Sequence, residues 1–382
     1  MEKESKRTLK IFAWASFFND MGSDMIYPVW PLFVTEVLKA NMSVLGFVDG
    51  LGEAVVSISK ALSGFISDRV RKRKVFIWTG YVCGTISKVG YAFSTVWMHL
   101  VPFRVLDRAG KIRSSPRDAV VADMSTRQDR GRNFGMLKAM DNLGAVCGIL
   151  LCIVLFNIVG YRKLFMIAAV PAAISAILIL FFIKEKKPAE NKIYEGLSVK
   201  NLSGNAKLFF ILSAVFALGN FTYSFLLVSA KLFGFKDVFI PILYLLFAGS
   251  ASIFSLPFGR LADKVGRKPL MSLSFVLWGL TVFSFIMISG RWTIILAFIL
   301  YGAHKGALEP VQKTFVSELS PVEYRASSLG LYQMVIGLCA LPASFIAGVL
   351  WDNMGVLAPF YFSIGLTAVS VVMLTFVKEP KV

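Results

Sequence analysis

Apolar residues in this chain run in long blocks and do not alternate with polar ones. Leu143–Val159, Leu164–Ile183 and Val356–Val377 are nearly free of charge, and each approaches or exceeds the roughly 20 residues, at about 1.5 Å rise each, that cross a bilayer. The pattern predicts twelve helical spans. Six lie near 10–35, 43–67, 75–95, 97–122, 133–157 and 161–183, and six near 207–230, 237–262, 269–289, 292–316, 326–350 and 355–377. Between the two sets, Lys184–Lys207 is rich in Lys, Glu, Asn and Gly, which suits a solvated linker. The expected organisation is an N-terminal six-helix bundle at 1–183, a cytoplasmic linker at 184–206 and a C-terminal six-helix bundle at 207–382. The loops that remain are too short for a soluble catalytic domain.

The chain also repeats itself. Gly64, Asp68, Arg69 and Val70 are echoed by Gly259, Asp263, Lys264 and Val265, 195 residues on. Val121, Asp123, Arg130 and Gly135 are echoed by Val316, Glu318, Arg325 and Gly330, again at 195. Two ungapped matches at one spacing imply an internal duplication, and parallel six-helix repeats are a known transporter design.

The run Gly259, Asp263, Lys264, Gly266, Arg267 and Lys268 resembles the loop signature of the major facilitator superfamily. The earlier copy keeps Gly64, Asp68, Arg69, Lys72 and Arg73, and it departs at Arg71, where the family pattern has glycine. The resemblance implies an all-α membrane protein of twelve transmembrane helices, in two pseudo-symmetric six-helix bundles around a central cavity lined by helices 1, 4, 7 and 10. It also implies that these loops latch the two halves in one state of a transport cycle. Glycine there permits close helix packing, and the carboxylate can meet an arginine or a helix N-terminus. Gly144 and Gly148 are similar to the glycine motif of proton-driven exporters, without the proline that follows the second glycine there; small residues at that spacing are also ordinary packing devices. Asp107–Asp118 resembles a subgroup of bacterial members.

Composition agrees with a membrane protein: 56% of residues are hydrophobic and mean hydropathy is +0.67, above the apolar share of about 45–50% in soluble domains. The net charge of +18 would suggest nucleic acid in a soluble protein. Its placement explains it otherwise. With the N-terminus inside, about 25 Lys and Arg fall in inner loops and tails and about 6 outside, which orients both termini to the cytoplasm, at the inner membrane. A basic inner surface implies contact with anionic membrane lipids and no nucleic acid. Cys83, Cys147, Cys152 and Cys339 all lie in apolar spans, so neither a disulfide framework nor a metal site is expected. The first span has no cleavage site and holds Asn19, Asp20 and Asp24, so it reads as a retained helix.

Ionisable residues at membrane depth carry the functional expectation, since each costs about 2.5–3.5 kcal/mol at the bilayer centre unless it has a partner or a cavity. Arg104, Asp107, Arg108 and Lys111 follow i, i+3, i+4, i+7 and share one face of the fourth span. That face is expected to look inward. The first span carries Asp20 and Asp24 with Tyr27 on the same side, the seventh offers Asn220 and Tyr223, and the tenth carries His304, Lys305 and Glu309. The spacing of Lys305 and Glu309 suits an i, i+4 ion pair. Each group also has a structural reading: Asp107 as a neutraliser of its own helix, Asp20 and Asp24 as partners of the arginines, His304 as a hydrogen-bonded core residue. Asp49 and Glu53, Lys88, and Lys138 with Asp141 are expected in inter-helix pairs, and Pro116 is expected to bend the fourth span.

Burial disfavours a charged carboxylate and a nearby guanidinium favours it, so a substrate that competes for the arginine can couple its movement to a proton. The expected function is secondary active transport of a small organic solute, anionic or zwitterionic, by proton-coupled efflux and alternating access. Arg104, Arg108, Lys111, Tyr27, Asn220, Tyr223 and Lys305 are the expected substrate contacts, and Asp20, Asp24, Glu309 and His304 the proton carriers. Gly64, Asp68, Arg69, Arg73, Gly259, Asp263, Gly266 and Arg267 form the expected gating loops. Proton-coupled symport of an organic anion or zwitterion is the alternative, and a lipid flippase or scramblase is a rival of another class. No nucleophile–base set or phosphate loop points to an enzyme, no cofactor is expected, and a monomer suffices for the fold.

Overall fold

A computed structural model describes residues 2–70, 72–126, 129–183, 203–287, 290–320 and 325–379, with the side chains of 2–5, Gly64, Phe65, Asp68, Arg130 and Ala326 outside the description. The expected linker falls, apart from its last residues, outside the described residues. The chain divides into two compact units, Met1–Ala40 with Val55–Ile193, and Asn41–Ala54 with Tyr194–Val382.

In the first unit, α1 (Glu2–Asp24) is followed by a turn and short helical pieces, Trp30–Leu32 and Phe33–Val37. A single helix over 10–35 was the expectation. Pro28 and Pro31 have no N–H to extend it, so the regular helix stops at Asp24. The second helix, α2 (Met42–Val70), begins among the residues of the second unit and ends in the first. Next come α3 (Arg73–Phe93) and α4, the latter in two parts, Trp97–Ala109 and Ser114–Asp123, joined by a 3₁₀ turn at Gly110–Arg113. The turn lies just before Pro116, where the ring removes a helix hydrogen bond. The stretch Arg130–Phe182 is helical throughout except at Gly160, whose φ of 71° and ψ of 179° divide it into α5 (130–159) and α6 (161–182). A buried cluster of Leu9, Phe12, Ile77, Tyr81, Leu137 and Ile179 joins α1, α3, α5 and α6. Where α3 meets α4, a Cβ on Gly80 would fall 2.5 Å from the Gly110 carbonyl, so the two backbones touch. Gly144 and Gly148 pack in the same way against the backbone of α1 at Phe17 and Met21.

In the second unit, α7 is broken into Gly204–Gly219 and Tyr223–Leu232. Then follow α8 (Ile240–Val265), α9 (Arg267–Ile286), α10 (Arg291–Leu319), α11 (Arg325–Met354) and α12 (Ala358–Phe376). Helix α10 packs on α8 and α9, and the first part of α7 packs on α11 and α12. Among the described residues, eight of the helical stretches have the length and apolarity of a membrane span, the α5–α6 stretch counting once. The spans α1, α3 and α4 fall short of that apolarity because polar and charged residues interrupt them.

The repeat needs one correction. Helix α9 starts at Arg267 and α3 at Arg73, 194 residues apart, whereas Asp68 and Asp263 before them, like Asp123 and Glu318 after them, stand 195 apart. Counted from the aspartates, the first loop is therefore one residue longer, offset by one residue fewer between Arg73 and Asp123, and Lys72 in place of Arg71 stands opposite Gly266. In the second copy, Gly266 turns the chain with φ 101°, a region open to glycine. The Glu379 carboxylate then accepts from the Arg267 and Lys268 backbone N–H groups at the start of α9. In the first copy, Lys72 reaches α3 with extended backbone, φ −126°.

Candidate functional site

The membrane-depth charges of the first unit converge. Lys88 on α3 and Arg104, Asp107 and Arg108 on α4 are all buried. Lys88 Nζ donates to the Gly84 carbonyl at 3.3 Å and stands 4.0 Å from Asp107 Oδ1. Arg108 Nε lies 3.8 Å from Asp107 Oδ2. Asp107 thus has a partner on another helix as well as on its own. Both guanidinium groups stack on rings that follow α1: Arg104 lies 4.5 Å from the centre of the Trp30 ring and Arg108 5.1 Å from that of Tyr27. Arg108 Nη1 also donates to the Tyr27 hydroxyl at 3.3 Å. An arginine on an aromatic face keeps its in-plane N–H edge for carboxylate or phosphate oxygens, a geometry that lysine lacks.

Asp24, the last residue of α1, shares this electrostatic neighbourhood with Asp20, Lys111, Lys88 and Arg108. Asp20 accepts from Asn19 Nδ2 at 2.8 Å. Toward the other end of α4, Arg117 donates to Ser16 Oγ at 2.7 Å and to Asp118 at 3.0 Å, and stands 3.8 Å from Asp141 on α5. The expected Asp20, Asp24, Tyr27, Arg104, Arg108 and Lys111 therefore do come together. Lys88 and Trp30 join them. Lys88 was legible as a charge in an apolar span; Trp30 gave no signal, because an aromatic residue in such a span reads as packing.

In the second unit the polar residues gather at the break in α7. His304 is fully buried, with Nδ1 2.8 Å from the Ser274 carbonyl and 2.9 Å from Ser274 Oγ. A carbonyl only accepts, so Nδ1 carries the proton. Nε2 faces the Asn220 carboxamide nitrogen at 3.2 Å, where it can accept. Asn220 caps the first part of α7. The second part opens beside buried Asp49 of α2, whose carboxylate accepts from Ser224 Oγ and, at 3.4 Å, from Thr222 Oγ1. A carboxylate suits that positive helix end. The role of Asp49 was hidden in the sequence because nothing there marks the break in α7.

Tyr223 packs on Tyr244 and Phe247, and Phe247 stacks on Tyr301 with ring centres 4.5 Å apart. Lys305 Nζ lies 5.7 Å from the Tyr301 ring centre. The expected Lys305–Glu309 pair is not formed among the described residues, and Glu309 is exposed. Helical side chains lean toward the N-terminus, which carries the ammonium to Tyr301 and away from Glu309.

The loop residues make matching sets of contacts within their own units. Arg73 Nη1 meets Asp123 Oδ2 at 2.5 Å, and Lys74 Nζ donates to the Leu180 carbonyl at 2.8 Å. Arg267 meets Asp263 at 2.9 Å and Glu318 at 3.0 Å, and Lys268 Nζ donates to the Thr375 and Val377 carbonyls at 2.7 and 2.8 Å. Arg69 is exposed at the end of α2, and a Cβ on Gly259 would meet open space. The Asp68 side chain and the surroundings of Gly64 lie outside the described residues.

Comparison with known proteins gives the family. The profile described as the Major Facilitator Superfamily matches residues 12–252 and 209–382. A protein of Methanocaldococcus jannaschii named as an uncharacterized MFS-type transporter, MJ1317, is 37% identical, with 98% of this chain and 96% of the relative covered. The multidrug resistance protein MdtG of Proteus mirabilis is 27% identical over 94% of this chain and 92% of its own length. Among solved structures, the nucleoside transporter NupG in a mutant form superposes with a TM-score of 0.83 at 16% identity, covering 97% of this chain and all of that one, a likeness of fold. Matches along nearly the whole length, on an all-helical fold with a charged constellation inside its spans, establish that this chain belongs to the major facilitator superfamily and is a multi-pass membrane transporter, not an enzyme.

Proposed function

We propose that the protein exports a small organic anion or zwitterion across the cytoplasmic membrane by alternating access, in exchange for protons, with both termini in the cytoplasm and a single chain as the working unit. The observation that carries the substrate class is the pairing of two buried guanidinium groups with the faces of Trp30 and Tyr27, beside Lys88 and Lys111. Desolvated arginines fixed on aromatic rings recognise carboxylate or phosphate oxygens. A pump for bulky cations would instead carry an acidic aromatic site. Export is supported by the multidrug resistance name of the 27% identical relative, and proton exchange by the two half-buried carboxylates of α1 next to those cations.

Uptake by symport is the second reading. The same cationic cluster serves it equally well, because it selects the charge of the solute and not its direction. A thermal-shift screen of purified wild type beside Arg108→Ala, with organic anions, zwitterions and lipophilic cations at two pH values, tests the substrate class. Stabilisation by anions or zwitterions that disappears in the variant supports it; stabilisation by cations alone, unchanged in the variant, overturns it. Flux in proteoliposomes under an imposed pH gradient then assigns direction.

A further inference from the structure

The N-terminal half of α1 forms one wall of an open groove of about 540 Å³, with Lys6, Arg7 and Lys10 at its head. Its floor is Ile11, Trp14 and Phe18 of the same helix and Leu178 of α6. Trp14 is 50% exposed and packs against Phe17 and Phe18, with ring centres 5.5 and 5.9 Å away. Lys10, Trp14 and Phe18 follow one another at i, i+4 along a single stripe. Cations therefore occupy one end of the groove and apolar surface the other, and no carboxylate is among its described lining residues, the side chains of Glu2 and Glu4 lying outside the description. The eleven steps from Arg7 to Phe18 rise about 16 Å, close to the hydrocarbon depth of one leaflet, which is about 15 Å, half of a core of about 30 Å. A tryptophan just below basic residues is the arrangement found at a membrane–water interface.

We infer that this groove binds one anionic phospholipid, its phosphate between Lys6, Arg7 and Lys10 and an acyl chain along Ile11, Trp14, Phe18 and Leu178. The inference rests on this end of α1 lying at a membrane surface, as the proposed topology requires. A zwitterionic lipid fills the apolar floor equally well but brings its own cation to the basic head. The groove is thus selective for headgroup charge, and at roughly fivefold enrichment per cation Arg7 and Lys10 alone give a preference of about twentyfold.

The test uses the full chain in nanodiscs of phosphatidylcholine containing a small, fixed fraction of brominated lipid, either phosphatidylglycerol or phosphatidylcholine. Bromine quenches nearby indoles, and the difference in emission between wild type and Trp14→Phe isolates Trp14 from the other tryptophans. The expected result is at least tenfold stronger apparent binding of the brominated phosphatidylglycerol at Trp14. That preference should vanish in Lys6→Gln/Arg7→Gln/Lys10→Gln and survive in the charge-preserving Lys6→Arg/Arg7→Lys/Lys10→Arg. Equal quenching by the two lipids in wild type, or a preference that persists in the neutralised variant, overturns the inference. Both leaflets carry the same mixture, so the outcome does not depend on which side the termini face; that is settled separately by protease accessibility of the N-terminus in sealed vesicles.

Discussion

Lys88 on α3 and Asp107 on α4 stand 4.0 Å apart, with 2% and 10% of their side chains exposed. Removing one member of a buried pair leaves the other charge without its main compensation, at a cost of about 3–5 kcal/mol. Lys88→Met and Asp107→Asn should each lower the melting temperature of the purified protein, and the double variant should melt above either. If the two effects simply add, the pair does not hold α3 to α4.

The loop contacts lead to a second expectation, one that separates the structural register of the repeat from the ungapped one. In the structure, Arg73 occupies the place of Arg267, and each meets the acidic residue at the end of the fourth or tenth helix. Lys72, which the ungapped reading sets opposite Arg267, is exposed. Arg73→Ala should therefore cost about 1–2 kcal/mol and impair transport, while Lys72→Ala stays near neutral. A melting series read beside flux checks both, and the reverse ranking would restore the ungapped register.

A third expectation concerns His304. Its Nδ1 faces a backbone carbonyl, which fixes the Nδ1–H tautomer and leaves Nε2 to accept from Asn220. The chain has only two histidines, so His99→Gln leaves a single imidazole for nitrogen NMR. The spectrum should show the Nδ1–H form, and Asn220→Ala should shift the Nε2 resonance. A signal from the Nε2–H form would exclude the hydrogen-bond arrangement at the break in α7.

Where the sequence was legible, the reason was energetic. A charge inside an apolar span must find a partner, so the sequence alone sets Arg104, Asp107, Arg108, Asp20 and Asp24 in one neighbourhood. The duplication was legible because its two landmarks keep one spacing. Helix interruptions were harder to read. The break at Asn220–Thr222 is supported by Asp49, whose position in sequence is remote from α7. The single inserted residue before Arg73 was invisible to an ungapped comparison, since Lys72, Arg73 and Lys74 are all cations and two registers read alike. The Lys305–Glu309 pair failed for a different reason: spacing allows an ion pair, but side-chain direction decides it, and the ammonium went to Tyr301.

The last expectation tests proton exchange at α1. Asp24 ends the regular helix, and the charges acting on it are Asp20, Lys111, Lys88 and Arg108. An anionic substrate that engages Arg108 weakens the attraction between that cation and the carboxylates, so substrate occupancy and protonation are linked reciprocally. Asp24→Asn keeps the shape and removes the exchangeable proton. Flux in proteoliposomes should then no longer respond to a pH gradient, while ligands found in the thermal-shift screen should still stabilise the variant, because Arg104 and Arg108 keep their places on Trp30 and Tyr27. Loss of ligand stabilisation together with flux would make Asp24 a structural support of the cationic cluster. Coupled transport that survives in both Asp24→Asn and Asp20→Asn would remove the α1 carboxylates from the coupling mechanism.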